Sequence, residues 1–98
     1  MSSIIYRATI VVIGRVQGVG FRYWTVAEVH ALRLPVTGTV RNQADGSVEV
    51  VAESADRSAI EQLLARLATG PGLARVDAVH PIYESSVERR YTDFKVSF

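Results

Sequence analysis

The 98-residue chain is 48% hydrophobic, has a formal net charge of +1 and contains no cysteine. This length and apolar content predict one compact domain over residues 1–98 and leave too little chain for a second core. The small net charge argues against a nucleic-acid or membrane-surface partner, and the lack of cysteine excludes disulfides, a thiolate nucleophile and thiolate metal sites.

The beginning of the chain resembles a strand and not a targeting segment. An alternating pattern starts at once, without the basic segment and long apolar run of a secretory signal. No apolar stretch approaches the roughly 20 residues that a membrane-spanning helix needs. We therefore expect a cytoplasmic protein that binds neither membranes nor nucleic acid, and we expect it to be a monomer.

The first two predicted elements are a strand and a helix. Residues 4–13 alternate with period two, which predicts a strand whose buried face carries Tyr6, Ala8, Ile10 and Val12. A helix is predicted over 21–34, because Pro35 disfavours helical geometry at the residue before it. Its predicted buried stripe is Trp24, Ala27, Ala31 and Leu34.

Two further strands are predicted over 36–42 and 47–53, joined by a hairpin at Asp45 and Gly46. In the second of these strands the alternation places Glu49 and Glu53 on the outer face. We interpret the two carboxylates as a solvated edge and not as an acid/base pair. The inward face would carry Val48, Val50 and Ala52.

A second helix should follow a cap at Ser54 or Asp56 and end at the glycines and proline of 70–72. Its apolar stripe is Ile60, Leu63, Leu64 and Leu67. Strand patterns at 74–83 and 94–98 flank a polar surface loop over 84–92. The order βαββαβ plus one strand predicts a ferredoxin-like α+β sandwich, with two helices on one face of a mostly antiparallel sheet.

Three glycines, Gly14, Gly18 and Gly20, separate the first strand from the first helix, and Arg22 follows in the first helical turn. Glycine loops at helix N-termini present backbone N–H groups to anions, and a guanidinium adds a full charge that can hold two phosphate oxygens. The alternative is that the glycines only form a turn. The spacing matches neither a P-loop nor a dinucleotide-binding turn.

Four segments, 16–22, 38–42, 45–50 and 70–76, resemble motifs of the acylphosphatase family in the same order along the chain. The resemblance implies a cofactor-independent hydrolase that splits small acyl phosphates into a carboxylate and inorganic phosphate. It implies that Arg22 binds phosphate and that Asn42 orients a water. The family's phosphate loop corresponds here to Val16, Gln17, Gly18, Val19, Gly20, Phe21 and Arg22.

Two features depart from the family pattern. The family usually has tryptophan where Thr39 stands, and the segment 34–37 is a residue or two longer than usual. Both departures lie just before Asn42 in the chain, so they concern the packing beside it.

The chemistry of acyl phosphates is compatible with the absence of an acid/base pair in this sequence. Phosphoryl transfer passes through a loose transition state that is stabilised by positioning and charge. A carboxylate leaves as a stable anion, so a neutral amide that aligns water is sufficient. Asn42 can accept from and donate to that water. Its alternative interpretation is an ordinary turn asparagine.

Other functional classes are less well supported. No Gly-x-Ser-x-Gly turn presents a serine nucleophile, and His30 and His80 lack the spacing of a metal site, so we expect no metal. An RNA-binding module of this topology would stack bases on aromatic residues, which 48–52 lacks. A non-catalytic phosphate-binding or regulatory domain of the same fold remains the alternative, although the short chain favours the enzyme.

Overall fold

The computed structural model describes residues 4–98, and residues 1–3 of the expected single domain lie outside the described residues. Five strands and two helices follow one another along the chain. They are β1 (Tyr6–Arg15), α1 (Phe21–Ala31), β2 (Thr37–Asn42), β3 (Val48–Ser54), α2 (Arg57–Thr69), β4 (Arg75–Glu84) and β5 (Phe94–Val96).

The strands form one sheet in the order β4-β1-β3-β2-β5. Neighbouring strands are antiparallel except β2 and β5, which are parallel. The predicted ferredoxin-like α+β sandwich with an additional short strand is therefore confirmed. Within residues 4–98, no helix is long and apolar enough to cross a membrane.

The core lies between the helices and one face of the sheet, which we call the helix face. Alternate residues of β1 and β3 are fully buried there, as predicted from the period-two pattern. Helix α2 contributes Ile60, Leu63 and Leu67, and its N-cap is Asp56, whose carboxylate accepts from the Ser58 backbone N–H at 3.0 Å. The sheet contributes Ala8, Ile10, Val12, Val48, Val50 and Ala52.

Helix α1 ends at Ala31, three residues before the predicted end. Arg33 has a positive φ of 50°. Its N–H donates to the His30 carbonyl at 3.1 Å, and the Leu34 N–H donates to the Val29 carbonyl at 3.0 Å. This is a Schellman motif, so the helix is ended by its own backbone hydrogen bonds and does not extend to the residue before Pro35. Leu34 is still buried, as expected, because the motif turns it back toward the core.

The predicted buried stripe of α1 was wrong at Ala27 and Ala31, although Trp24 packs against the core. Ala27 and Ala31 are exposed and Trp24 is half-buried, whereas the innermost positions are Phe21, Thr25 and Val29. Thr25 can occupy the core because its hydroxyl donates to the Phe21 carbonyl at 2.8 Å, so this buried hydroxyl has a partner.

Glu53 also corrects the sequence analysis, because β3 is the central strand and Glu53 is fully buried, not at a solvated edge. We call the face of the sheet that is turned away from the helices the open face. At Glu53 this face is covered by residues 85–93, which we call the crossing segment. This crossing segment must pass over the sheet because it connects the edge strands β4 and β5. Glu53 accepts from Arg7 Nε at 2.8 Å and from the backbone N–H groups of Arg90 and Tyr91 at 2.9 and 3.1 Å.

Candidate active site

The 16–22 loop connects the end of β1 to the first residues of α1. Gly18 and Gly20 have φ angles of 73° and 77°, and Gly20 is the N-cap of α1. Such left-handed geometry costs an L-residue with a side chain about 1–2 kcal/mol, so glycine is favoured at both positions.

The backbone donors around this turn are available to a ligand. The first backbone bond of α1 runs from Trp24 N–H to Gly20. In the part of the chain that the structure describes, no backbone carbonyl accepts from the N–H groups of residues 18–23. Free N–H groups at a helix N-terminus attract anions.

Arg22 and Asn42 line the same pocket although they are 20 positions apart in the chain. Arg22 belongs to the first turn of α1, and Asn42 is the last residue of β2. The pocket has a volume of about 180 Å³, and the remainder of its lining is Val16, Gly18, Gly20, Phe21 and Tyr23.

Gln17 does not line this pocket but joins the 16–22 loop to the β2–β3 hairpin. Its Nε2 donates to the carbonyls of Gln43 and Ser47 at 2.7 and 2.9 Å. These two residues flank the hairpin turn next to Asn42, so the amide holds the two halves of the pocket together. Val19, which also lies outside the lining, packs against the core.

The hairpin beside Asn42 is held by its own side chains. The Asp45 carboxylate accepts from the Ser47 hydroxyl at 2.6 Å and from the Ser47 N–H at 2.9 Å. These hydrogen bonds, the hydroxyl first, lower the pKa of Asp45 below its usual value. Gly46 has a φ of 94°, which completes the turn that the sequence predicted.

The guanidinium of Arg22 lies close to two aromatic rings. Its Cζ is 4.9 Å from the centroid of Phe98 and 5.9 Å from that of Tyr23. Within residues 4–98, no carboxylate lies within 4.0 Å of it. Ring faces hold a cation without neutralising it, so the full charge of Arg22 remains available to an anion.

Sequence reasoning did not identify Tyr23 and Phe98 as part of this region. Tyr23 could have been found from its position next to Arg22 in the first helical turn. The contact of Phe98 carries no local pattern, because 76 positions separate it from Arg22 in the chain.

The other candidates from the sequence lie elsewhere. Arg15 is exposed at the end of β1, where it pairs with Arg75, and it does not line the pocket. His30 is exposed near the end of α1 and His80 is exposed on β4. Among residues 4–98, no group of three or more metal-binding side chains is arranged to hold a metal ion, and metal independence stays a prediction.

Comparison with known proteins identifies relatives over most of the chain. Residues 8–96 match the family model described as acylphosphatase. An acylphosphatase of Nitrobacter hamburgensis is 61% identical over 71 residues, which cover 71% of this chain and 68% of the relative. An acylphosphatase of Thermobifida fusca is 49% identical over 92 residues, which cover 94% of this chain and 89% of the relative.

A solved structure agrees with these sequence matches. The acylphosphatase from Bacillus subtilis superimposes with a TM-score of 0.86 at 28% identity, covering 95% of this chain and 99% of that chain. The order of helices and strands and the sequence similarity therefore indicate the same family.

Proposed function

The chain belongs to the acylphosphatase family, and we propose that it hydrolyses small acyl phosphates through the 16–22 loop, Arg22 and Asn42. The observation that supports this proposal is the pocket that Arg22 and Asn42 both line, next to the free N–H groups at the start of α1. Each half of the pocket supplies one requirement of the reaction, an anion site and a group that aligns water.

The phosphoryl group of the substrate binds in the 16–22 loop. Its oxygens accept from the backbone N–H groups, and the guanidinium of Arg22 holds two of them. These donors are fixed by the turn before the substrate arrives, so no reorganisation is needed as charge spreads over the equatorial oxygens.

Asn42 aligns the attacking water. Its side-chain oxygen accepts from the water while the water oxygen forms a bond to phosphorus and the bond from phosphorus to the acyl oxygen breaks. The electron pair of the broken bond leaves with the carboxylate. Both protons of the water end on the phosphate product, which exchanges them with solvent.

The test of this function is hydrolysis of benzoyl phosphate, with inorganic phosphate as a competitive inhibitor. We expect turnover by the wild-type chain. Phosphate binding without turnover would instead favour the alternative, a non-catalytic phosphate-binding or regulatory domain.

Asn42 and Arg22 should give different kinetic results. Asn42→Ala should lower kcat on the order of 10²-fold or more, the scale for removing one well-placed hydrogen-bonding group, and leave phosphate inhibition nearly unchanged. Arg22→Gln should abolish that inhibition, and Arg15→Gln is the control with the same charge change. The reverse pattern for the two arginines would reassign the anion site.

The reaction should need neither a metal ion nor a titrating base. Arg22 and the N–H groups neutralise the phosphoryl group without a cation, and Asn42 carries no titratable proton near neutral pH. Turnover should survive exhaustive treatment with EDTA, and kcat should be nearly flat across the mid-pH range. Loss of activity that Mg²⁺ restores, or a steep pH profile traced to His30 or His80, would contradict this.

A further inference from the structure

The open face of the sheet carries a recess that is separate from the pocket of Arg22. Its volume is about 470 Å³, and the two share no lining residue. The floor is formed by Thr9, Val51 and Thr39, which are neighbours on β1, β3 and β2. Arg90 and Tyr91 of the crossing segment form one wall. We call this the open-face recess.

Hydrogen bonds to buried residues of the sheet hold the wall of the open-face recess in place. The buried Glu53 carboxylate accepts from the backbone N–H groups of Arg90 and Tyr91, and Arg7 donates to the Glu88 carbonyl at 2.7 Å. The crossing segment is thereby fixed to the sheet. Groups that are ordered before a ligand arrives lose less entropy on binding.

Two arginines line the open-face recess, and one of them is available to a ligand. Arg41, which also lines it, is paired with Glu49 at 2.9 Å. Arg90 has no carboxylate within 4.0 Å among residues 4–98. In the same described part of the chain, the hydroxyls of Thr9, Thr39 and Tyr91 make no hydrogen bond to protein, so they can donate to a ligand.

The small side chain of Thr39 helps to leave this space open. Thr39 pairs with Val51 and lines the recess, so its side chain lies on the open face. A tryptophan, which the family usually has at this position, would extend over the same face and fill the recess. A threonine at this position therefore leaves open a space that a large ring would occupy.

We propose that the open-face recess binds a small organic carboxylate. The carboxylate bonds to the Arg90 guanidinium in a bidentate fashion and accepts from the hydroxyls, and the apolar part of the ligand lies against Val51. A single unpaired guanidinium matches one negative charge. The volume falls in the range of about 300–1,000 Å³ that is typical of small-molecule sites, whereas the pocket at Arg22 is smaller, at about 180 Å³.

The test is a titration of the ¹⁵N-labelled full chain with benzoate, followed by amide chemical shifts, in saturating inorganic phosphate. Phosphate occupies the 16–22 loop, so benzoate can compete only weakly there. We expect shifts at Thr9, Thr39, Val51 and Tyr91. Arg90→Gln should weaken benzoate binding by about tenfold or more, since it removes a hydrogen-bonded ion pair.

The matched control is Arg89→Gln, which removes the same charge from the neighbouring position. The Arg89 guanidinium donates to Thr37 Oγ1 at 3.0 Å and does not line the recess. This variant should bind benzoate within about twofold of the wild type, because an exposed charge that does not contact the ligand is weakened by water and salt.

Thr39→Trp is a second, independent test. The indole should fill the recess and abolish the benzoate shifts, while phosphate shifts in the 16–22 loop remain and report an intact fold. Benzoate shifts confined to the 16–22 loop, or equal affinity in Arg90→Gln and the wild type, would overturn the proposal. A titration of the Arg22→Gln variant gives one more contradicting outcome. If inorganic phosphate shifts the amides of the recess and benzoate does not, the recess binds phosphate and not a carboxylate.

Discussion

The two faces of the sheet use the same strands but are stabilised in different ways. On the helix face, Ala8, Ile10 and Val50 are fully buried against the helices by apolar contact. On the open face, Arg7 is 4% exposed and Glu53 is 0% exposed, and they are buried as an ion pair. The helix face depends on burial of many equivalent groups, whereas the open face depends on a few specific partners.

The difference has an energetic consequence. Apolar contacts are numerous and each contributes modestly, so the loss of one leaves the others in place. A buried ion pair contributes little net free energy when complete, but the loss of one partner leaves an uncompensated charge. Removing one partner of the buried ion pair should therefore be more damaging than shortening one apolar side chain on the helix face.

The largest expected effect follows from removing the carboxylate of Glu53. Glu53→Ala leaves the Arg7 guanidinium and the N–H groups of Arg90 and Tyr91 without their acceptor. The free energy of unfolding should fall by about 3–5 kcal/mol. Urea unfolding of the variant and the wild type measures it.

The control for this prediction is Glu84→Ala. Glu84 is also near Arg7, at 3.8 Å, but its side chain is 53% exposed, so its removal should cost less than about 1 kcal/mol. The double variant Arg7→Met with Glu53→Leu should regain only part of the lost stability. Apolar residues often replace a buried ion pair well, but the N–H groups of Arg90 and Tyr91 still lack their acceptor. Equal losses for Glu53→Ala and Glu84→Ala would show that the pair is not the source of stability.

The contrast between the faces also explains what could be predicted from the sequence. The helix face was predicted because its apolar residues alternate along β1 and β3, a local pattern. The burial of Glu53 was not, because its partner Arg7 is 46 positions away and the backbone donors of Arg90 and Tyr91 are 37 and 38 positions away. Alternation alone predicts that a charged residue in a strand faces solvent.

A similar limit applies to the candidate active site. Arg22, Asn42 and the residues of the 16–22 loop were proposed from the family resemblance, and their roles stay predictions. The shared pocket of Arg22 and Asn42 depends on β1 and β2 lying on either side of β3. The contact of Phe98 with Arg22 depends on the parallel pairing of β5 with β2. No local sequence pattern predicts that pairing.

The next largest expected effect is a difference in the free energy of unfolding between substitutions at two neighbouring residues of β3. Val50 faces the helices and is fully buried, and Val51 faces the open-face recess at 8% exposure. Val50→Ala should cost roughly 2–3 kcal/mol, since it leaves a closed cavity. Val51→Ala should cost only about 1 kcal/mol, because it enlarges a space that water already enters. Equal losses in urea unfolding would mean that the two faces are packed alike.

The smallest expected effect concerns the hairpin that joins the two strands beside Asn42. Here the stabilising contacts are local, between Asp45 and Ser47, two positions apart. Because these hydrogen bonds lower the pKa of Asp45 in the folded state, the ionised carboxylate stabilises the hairpin. That contribution is complete above the unfolded-state pKa of about 3.9. It is lost as the pH falls through the lower folded-state pKa.

Asp45→Asn should therefore lose less stability than the wild type when the pH is lowered from about 6 to about 2, a range that spans the carboxyl titration. Asp56, whose pKa the Ser58 hydroxyl lowers in the same way, is present in both proteins and does not affect the comparison. Ser47→Ala removes the hydroxyl donor and should reduce the acid sensitivity as well. Thermal unfolding across this pH range gives the measurement, and identical acid sensitivity of Asp45→Asn and the wild type would contradict the prediction. Because Asp45 is exposed and its partner is local, the change in the free energy of unfolding should be well below that of Glu53→Ala. That order is expected if long-range partners, and not local turns, stabilise the open face.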